Sequence, residues 1–382
     1  MIDFKAHNER SKSIWEAYEK GSPIRVPVTI YADVRNWIAE PAENPSHITM
    51  AEYIKDAGRM LECQIKASEW IRHNILSDSE MGYPKDGWSV MVDFQNLLEP
   101  AWFGAPVVYG KEPHCEAFLT DDSKWSLLDQ GIPEPFAGIN AEVIRRYEYF
   151  TERTKDYSYK GISLTGVQMP YNMMGSDGPF TIACSIRGTE SFLIDMLEDS
   201  EYAHQFLSFL TQALIRRIKK VRKYLGMSEM AASFGFADDS IVLLSTDMYK
   251  EFVLPYHKRI FDELTLQNGE RSMHLCGDAQ RFFPILEREL NVKSFDTGFP
   301  IAFERLYDEL SSDVRILGGP SIKLIRYGTP ECVRDEAKRI LRSGVMEKSR
   351  RFILREGNAL APGTPMGNVN AIYEAAEEFG YY

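Results

Sequence analysis

The sequence is poor in cysteine and contains no long apolar run. Its five cysteines are odd in number and scattered, which does not match a disulfide framework, and we expect reduced thiols. No run of about 18 apolar residues occurs, so we expect no membrane-spanning helix. Residues 1–20 carry charges throughout and lack the apolar core of an export signal, which favours a cytoplasmic protein. The cysteines are Cys63, Cys115, Cys184, Cys276 and Cys332.

Clustered positive charge is also scarce. The chain has 44 Lys and Arg against 56 Asp and Glu, a net charge of −12. Nucleic-acid binding requires grouped basic side chains, so we expect no nucleic-acid partner. The basic run at 216–226 is interpreted as the solvated face of a helix. Hydrophobic residues at 44% and charged residues at 26% are typical of a globular protein with a large core.

Short apolar segments alternate with longer helical patterns along the whole chain. This alternation predicts an α/β fold, and the number of segments favours a (β/α)8 TIM barrel. The rival, a doubly wound open sheet, is weakened because no G-x-G-x-x-G follows the first predicted strand. We expect one domain over 1–382, with 1–87 forming a helical N-terminal extension that covers one end. The predicted strands are 25–31, 88–94, 161–168, 230–236, 272–277, 292–298, 314–319 and 351–356.

Helical periodicity is strongest over 189–225, where apolar residues recur at helical spacing. A break near Asp199 predicts two consecutive helices there. Pro255 predicts a kink or a junction in a further helix over 246–267.

His274 and Cys276 are two residues apart near the end of a predicted strand. Alternate residues of a strand project to the same side, so the imidazole and the thiol are expected to lie together. In a barrel, the carboxyl end of each strand carries the active site. This pair of donors suits zinc. Chance occurrence, a buried core cysteine and Cys-His nucleophilic catalysis remain alternatives.

Acidic residues end the neighbouring predicted strands. Asp238 and Asp239 follow the strand before His274, and Asp296 ends the strand after it. Carboxylates at successive strand ends favour a catalytic site, in which Asp238 and Asp239 position the substrate or donate a proton. The alternative for each is a capping or turn role after the strand.

The segment 167–180 is rich in methionine and aromatic residues, which suit the wall of a pocket for an aromatic ring. Ordinary core packing is the alternative for each of them. The predicted substrate-binding residues are Met169, Tyr171, Met173, Met174 and Phe180.

Several long blocks of the sequence resemble the uroporphyrinogen decarboxylase superfamily. HLCGDAQRFFPILEREL followed by NVKSFD resembles its H-x-C-G segment, and GPFTIACSIRGTESFLIDMLEDSEYAHQFLSFLT is similar to its G-P-F-T-x-A block. The segments 246–264, 318–344 and 360–376 match in order and spacing. The resemblance covers about 160–382 well, and it implies a (β/α)8 barrel.

The superfamily contains two different chemistries. Its decarboxylases are metal-free and hold a substrate with many carboxylates through an R-Q-A-G-R motif. Here the corresponding segment, 30–38, contains Arg35 and no such cluster. Since bidentate Arg is the natural receptor of a carboxylate, this departure favours the other branch, the corrinoid-dependent methyltransferases.

The methyltransferase branch holds zinc through the H-x-C pair and a later Cys in a segment such as I-L-A-P-G-C. This sequence has ILREGN at 353–358, so Asn358 stands where that Cys would be. The resemblance therefore implies zinc ligands at His274 and Cys276. Asn358 or Glu356 are further candidates, and Asp296 or Asp238 are alternative anionic ligands.

The resemblance implies methyl transfer from a small methylated substrate to the cobalt of a corrinoid (cobalamin) cofactor carried by a partner protein. A harder ligand set than the family's suits oxygen better than sulfur, which favours O-demethylation of a methoxylated aromatic in anaerobic metabolism. A metal-free decarboxylase-like lyase and a non-catalytic or metal-free relative are the alternatives. A homodimer is possible, as in other members.

Overall fold

A computed structural model describes residues 2–382 and shows ten strands in that range. The strands are short and mostly bounded by Gly, Pro or Asp, as expected of strands that lead into loops. They are β1 (Trp88–Met91), β2 (Val107–Val108), β3 (His114–Cys115), β4 (Ser158–Tyr159), β5 (Ile162–Gln168), β6 (Ala231–Ala237), β7 (Thr265–Leu275), β8 (Val292–Thr297), β9 (Arg315–Gly318) and β10 (Phe352–Leu354).

Helices fill most of the intervals between these strands. Side-chain caps define where several of them begin, such as the capping boxes of Asp33 with Asn36 and of Thr49 with Glu52. The helices are α1 (Phe4–Glu19), α2 (Val34–Ile38), α3 (Met50–Lys55), α4 (Ala57–Asn74), α5 (Leu98–Trp102), α6 (Ser126–Gln130), α7 (Ile139–Arg153), α8 (Tyr171–Met174), α9 (Pro179–Arg187), α10 (Thr189–Glu198), α11 (Ser200–Tyr224), α12 (Thr246–Met248), α13 (Leu254–Leu264), α14 (Phe283–Leu290), α15 (Leu306–Glu309), α16 (Ile322–Tyr327), α17 (Pro330–Ile340), α18 (Met346–Lys348) and α19 (Met366–Phe379).

Short 3-10 and π segments extend or join several helices. They are Gln95–Leu97, Asp239–Leu243, Tyr249–Val253, Gln280–Phe282, Phe303–Arg305 and Leu341–Val345. The break predicted near Asp199 is confirmed by the boundary between α10 and α11. Pro255 lies in the first turn of α13, directly after the π segment, so the predicted junction is confirmed, although the helix ends at Leu264.

The central sheet is parallel, in the order β10-β9-β8-β7-β6. Val28 pairs in parallel with Leu354 and adds one more segment next to β10. A second parallel pair joins β1 to β5, while β4 and the β2–β3 hairpin are antiparallel. The parallel strands and helices confirm the α/β prediction, and the strand order agrees with a barrel. Within residues 2–382, no ladder joins β5 to β6 or the Val28 segment to β1.

The first predicted strand, 25–31, forms only two isolated bridges, Arg25 with Tyr381 and Val28 with Leu354. The ladder there is short because the backbone N–H of Val28 bonds the carboxylate of Asp78 at 2.6 Å, instead of a neighbouring strand. The segment therefore joins the sheet through single contacts, which is a correction to the predicted strand.

Alternation along the central strands separates two environments. Met273, Leu275 and Phe295 are buried in the core beneath the helices. Ser272, His274, Ser294 and Asp296 line a cavity on the opposite, inner side of the sheet. The period of two therefore directs the polar residues of β7 and β8 inwards.

The N-terminal segment contacts both ends of the strands. In α1, the hydroxyl of Tyr18 donates to the carbonyl of Arg351 at 3.0 Å, next to the amino end of β10. Arg35 and Tyr53, on α2 and α3, line the cavity at the carboxyl ends. The organisation as one domain with 1–87 as a helical cover stays a prediction. No helix among residues 2–382 is both long enough and apolar enough to cross a membrane.

A buried ion pair ties the Val28 segment to the loop after α4. Arg25 Nη2 lies 2.6 Å from Asp78 Oδ1, and neither side chain is exposed. Arg25 also donates to the carbonyl of Val26 at 2.7 Å. Glu377 Oε1 lies 3.0 Å from Arg25 Nε as a second, partly exposed counter-ion, so Asp78 is the fully buried partner of this cation.

We expect Asp78→Asn to lower the free energy of unfolding by about 3 kcal/mol, because it leaves the buried Arg25 with only the partly exposed Glu377, 3.0 Å from its Nε, as a counter-ion. Urea unfolding measures this effect, with the exposed Asp86→Asn as the matched control. A loss below about 1 kcal/mol would contradict the importance of this pair.

Candidate functional site

A cavity of about 1180 Å³ opens at the carboxyl ends of the strands. The inner faces of β6, β7 and β8 form one side, and α2, α3 and α4 form the other. Its polar lining comes mostly from residues at or just after strand ends, which is where the catalytic residues of a barrel enzyme lie. Among these residues are Asp33, Arg35, Asp93, Asp177, Asp239, His274, Cys276, Asp296, Arg355 and Asn358.

Three side chains meet at one point of this cavity. His274 Nε2 lies 3.1 Å from Cys276 Sγ and 3.9 Å from Asp239 Oδ1. The backbone N–H of Cys276 donates to Asp239 Oδ1 at 2.6 Å. One donor atom from each residue lies within 4.8 Å of the others. His274 lies in β7 and Cys276 directly follows it, so the structure brings the predicted pair together.

Asp296 and Arg355 hold the imidazole from behind. His274 Nδ1 bonds Asp296 Oδ2 at 2.8 Å, and Arg355 Nη1 donates to Asp296 Oδ1 at 2.7 Å. Burial alone would lower the pKa of His274, but its hydrogen bonds with Asp296 and Cys276 outweigh burial and raise this pKa to about 11. The hydrogen bond with Asp296 therefore orients the ring of His274, and Nε2 faces the thiol of Cys276.

Asn358 reaches the same point through its amide nitrogen. Its Nδ2 lies 2.9 Å from Cys276 Sγ, while its Oδ1 accepts a hydrogen bond from the N–H of Ala359 at 2.7 Å. In this orientation it donates to the sulfur and does not offer oxygen to a cation. Asn358 is thus a hydrogen-bond donor to the sulfur of Cys276.

Glu356 lies outside the cluster. It is fully buried, and its Oε1 accepts bonds from the N–H of Tyr31 and from Arg355 Nη2 at 3.0 and 2.6 Å. Burial raises the pKa of Glu356 to about 7. The structure does not bring this candidate ligand to His274 and Cys276.

The cluster fits a zinc ion. Asp239, His274 and Cys276 supply an oxygen, a nitrogen and a sulfur donor, and three protein ligands with one open position are typical of catalytic zinc. The hydrogen bond that the other ring nitrogen donates to Asp296 is the support that metal-binding histidines usually have. The third donor is thus Asp239, which the sequence analysis places among the substrate-positioning residues.

Asp238 points away from the cavity. It is fully buried, and its carboxylate accepts bonds from the N–H groups of Phe180 and Thr181, at 3.2 and 2.7 Å, in the first turn of α9. His257 Nε2 lies 2.8 Å from the same carboxylate. Asp238 therefore joins β6, α9 and α13, and the structure does not bring this predicted catalytic residue to the site.

Of the predicted aromatic-pocket residues, Tyr171 lines the cavity. Met169, Met173 and Phe180 are buried in the core, for which packing was the alternative. Met174 lines a second cavity beside β6. The structure therefore brings one of these five side chains to the main cavity.

Asp177 is a cavity residue that the sequence analysis missed. Its N–H donates to Glu99 at 2.7 Å, and Asn172 donates to its carboxylate at 3.0 Å. Burial, followed by the charges of Glu99 and Asp239, raises the pKa of Asp177 to about 8, and Arg217 opposes this shift. A carboxyl group that keeps its proton at neutral pH is a candidate proton donor.

A further polar group lies across the cavity from His274. Tyr53 donates to Asp93 at 2.8 Å, and Gln64 donates to the hydroxyl of Tyr53 at the same distance. Burial raises the pKa of Asp93. Asp93 lies near the end of the predicted strand 88–94, so its position at a strand end was the available signal. For Asp177 the local sequence contained no such signal, because its neighbours Glu99 and Asp239 are distant in the chain.

Comparisons with known proteins match these features to one family. The family model for uroporphyrinogen decarboxylase (URO-D) matches residues 136–379, more than half of the chain. The methylated-thiol–coenzyme M methyltransferase of Methanosarcina mazei is 29% identical over 206 residues, 52% of this chain and 51% of that protein. The chain therefore spans about half the length of this relative.

Two further relatives are a methyltransferase and a decarboxylase. The methylcobamide:CoM methyltransferase MtbA of Methanosarcina acetivorans is 21% identical over 244 residues, 60% of this chain and 68% of that protein. The uroporphyrinogen decarboxylase of Francisella philomiragia is 23% identical over 232 residues, 59% of this chain and 65% of that protein.

A solved structure shares the fold along almost the whole chain. It is a methyltransferase from Methanosarcina mazei, with a TM-score of 0.64 and 17% identity, and the match covers 97% of this chain and 98% of that one. At this identity the likeness shows a common fold.

The two neighbouring aspartates are expected to respond differently to the same substitution. Asp238→Asn should lower the free energy of unfolding by about 3 kcal/mol, because it removes a buried charge with four partners around it. Asp239→Asn keeps an oxygen acceptor in a solvent-accessible position. This substitution should change the free energy of unfolding by less than about 1 kcal/mol. Equal losses in urea unfolding would contradict the separation of a structural from a functional aspartate.

Proposed function

The chain belongs to the uroporphyrinogen decarboxylase family, and within it we propose a zinc-dependent methyltransferase that passes a methyl group from a small substrate to the cobalt of a corrinoid protein. The observation that supports this most is the meeting of Asp239, His274 and Cys276 at one point of the cavity. The names of the similar methyltransferases from Methanosarcina agree with this chemistry.

Three side chains are proposed to hold the zinc ion. Cys276 binds as a thiolate, His274 through Nε2, and Asp239 through a carboxylate oxygen. When bound, zinc supplies a Lewis acid that polarises the heteroatom carrying the methyl group. Asp296 keeps the ring of His274 in one orientation, and Arg355 keeps Asp296 in place. Zinc at Nε2 would require a neutral imidazole whose remaining proton is on Nδ1, where Asp296 accepts it.

We propose a methoxylated aromatic as the methyl donor. One thiolate with an imidazole and a carboxylate is a harder donor set than two thiolates with an imidazole, and it suits an ether oxygen. Tyr171 offers an aromatic surface on the cavity wall. This substrate class would assign the protein to O-demethylation in anaerobic metabolism.

In the proposed transfer, Co(I) of the partner supplies the electron pair that forms the cobalt–methyl bond. The methyl–oxygen bond breaks, and its electron pair stays on the aryl oxygen. Asp177 lines the same cavity and donates the proton that turns this oxygen into a phenol hydroxyl. Asp177 later recovers a proton from solvent, so the step balances.

The two alternatives have less support from the site. A decarboxylase of this family needs cationic partners for several carboxylates, but Arg35 bonds Asp33 with its Nε at 2.9 Å and its Nη2 at 2.8 Å. A metal-free or non-catalytic relative was favoured by Asn358 in place of the family's Cys. Asp239 now offers a third donor and weakens that argument. Activity that is insensitive to chelators would favour the decarboxylase.

Further predictions concern the cellular compartment, the oligomeric state and the partners of the protein. All five cysteines are free, which suits the reduced thiols of a cytoplasmic enzyme. A homodimer and the lack of a nucleic-acid partner stay predictions. The corrinoid protein and the small methylated substrate are the proposed partners.

Protein purified without chelators is expected to contain about one zinc ion per chain, and Cys276→Ser or His274→Ala should lose it, because each removes one of three ligands. Elemental analysis gives the metal content. Cys332→Ser, which changes an exposed thiol away from the cavity, is the matched control and should keep its zinc. Equal zinc in all variants, or none in the unmodified protein, would contradict the proposed metal site.

Transfer from an aryl methyl ether to cob(I)alamin should slow as the pH rises through the pKa of Asp177, because Asp177 is protonated below its pKa and loses its proton above it. Zinc at Asp239 would offset one of the charges that raise this pKa to about 8, so the transition in the zinc-loaded protein is expected below that pH. Asp177→Asn should lower this rate by about 10²-fold at neutral pH and remove that pH dependence. The absorbance of methylcobalamin follows the reaction, with the exposed Asp122→Asn as control. Wild-type rates in Asp177→Asn would exclude the proton-donor role.

A further inference from the structure

A second cavity, of about 690 Å³, extends from the inside of the strand array towards the amino ends of β6 to β9. Tyr171, Ser272 and Ser294 line both this cavity and the main one. In most barrels, bulky branched side chains fill the interior in layers. Here the inward positions of the central strands carry Ser and Gly, including Ser233 and Gly235, so the interior stays open between the two cavities.

The second cavity is strongly cationic. Five Lys and Arg side chains line it, against two carboxylates, although the whole chain carries a net charge of −12. The cations are Arg222, Arg271, Lys293, Arg315 and Arg351, and the carboxylates are Glu270 and Asp313. Concentrated positive charge within an acidic protein needs either internal partners or an anionic ligand.

Internal partners bond three of the five cations, although the buried Nε of Arg222 has no partner among the described residues. Lys293 bonds Glu287 and Asp313, and Arg271 bonds Asp262 at 3.0 Å. Arg222 donates to the carbonyls of Glu229 and Leu264.

Arg315 and Arg351 are different. The carboxylate nearest to Arg315 is the exposed Glu19 at 3.8 Å, and Arg315 Nε is buried without a hydrogen-bond partner in the part of the chain that the structure describes. Arg351 has no carboxylate within 4.0 Å among residues 2–382. Both guanidinium groups lie over the ring of Tyr18, with centroid distances of 5.8 and 4.8 Å, so one aromatic side chain holds two like charges close together.

We propose that Arg315 and Arg351 form a binding site for a small oxyanion, a carboxylate or a phosphate, at the amino ends of the strands. Two guanidinium groups with free donors on the wall of an open cavity match the planar, bidentate recognition of such groups. The site is separate from the cluster at His274, and it does not depend on the methyl-transfer proposal. The anion is either a free ligand or the charged end of a longer molecule that reaches through the barrel interior.

Calorimetric titration of the full chain with inorganic phosphate and with acetate tests the site. We expect saturable binding of at least one of them, weakened about tenfold or more in Arg351→Gln and in Arg315→Gln, because each removes a charge-assisted donor pair. Arg350→Gln is the matched control, since Arg350 lies next to Arg351 in the chain but outside the cavity, and it should bind like the wild type. No binding to the wild type, or equal binding in all three variants, would overturn the proposal.

Thermal unfolding shows whether each variant is folded, and Arg351→Lys provides a second, conservative variant at the site. The lysine keeps the charge without the planar fork, so binding should be intermediate between the wild type and Arg351→Gln. Repeat phosphate titrations, one with 4-methoxybenzoate and one with acetate at the same concentration, distinguish the two sources of the anion. Equal competition by the two carboxylates indicates a free small ligand, and stronger competition by 4-methoxybenzoate indicates the charged end of a longer molecule. Arg351→Lys that is folded and binds as weakly as a folded Arg351→Gln would contradict recognition by charge at this position.

Discussion

The parallel register of β6, β7 and β8 is the constraint on which the site depends. It pairs Ala237 with His274 and His274 with Asp296, so that three consecutive strands end at the same level. Asp239, two residues beyond the paired Ala237, then accepts a hydrogen bond from the backbone N–H of Cys276, which follows β7, while Asp296 contacts the far nitrogen of the imidazole. A register shift of one residue in β7 would turn His274 towards the helices and replace it with Met273 or Leu275.

Electrostatics organises the cavity around this cluster. Carboxylates outnumber cations along the lining, and the acidic groups in and next to it differ in whether a cation compensates their charge. Asp296 has Arg355, Glu99 has the buried Arg217, and Asp177 has neither and therefore keeps its proton to a higher pH. A cationic metal at Asp239, His274 and Cys276 would offset much of the remaining negative charge, which accords with the proposed zinc.

The two ends of the strand array carry opposite charge. Carboxylates, a thiol and an imidazole gather at the carboxyl ends, whereas Arg315 and Arg351 lie near the amino ends, beside α1. The small inward residues of the central strands leave space between these ends. Bulky layers would have closed that space and given a conventional packed barrel core, with the chemistry limited to one end.

The α/β class, most strand positions and the pairing of His274 with Cys276 followed from the sequence by itself, because a period of two and strands separated by helices are local properties. The period of two in a strand already placed the imidazole of His274 and the thiol of Cys276 on the same side. Only the tertiary structure decided which aspartate joins the cluster. Asp238 and Asp239 are adjacent in the chain, yet one binds the first turn of α9 and the other contacts Cys276. Likewise, the orientation of Asn358 and the retained proton of Asp177 depend on neighbours that are distant in sequence. The burial of a side chain by such neighbours, and the effect of their charges on it, cannot be deduced from a local sequence pattern.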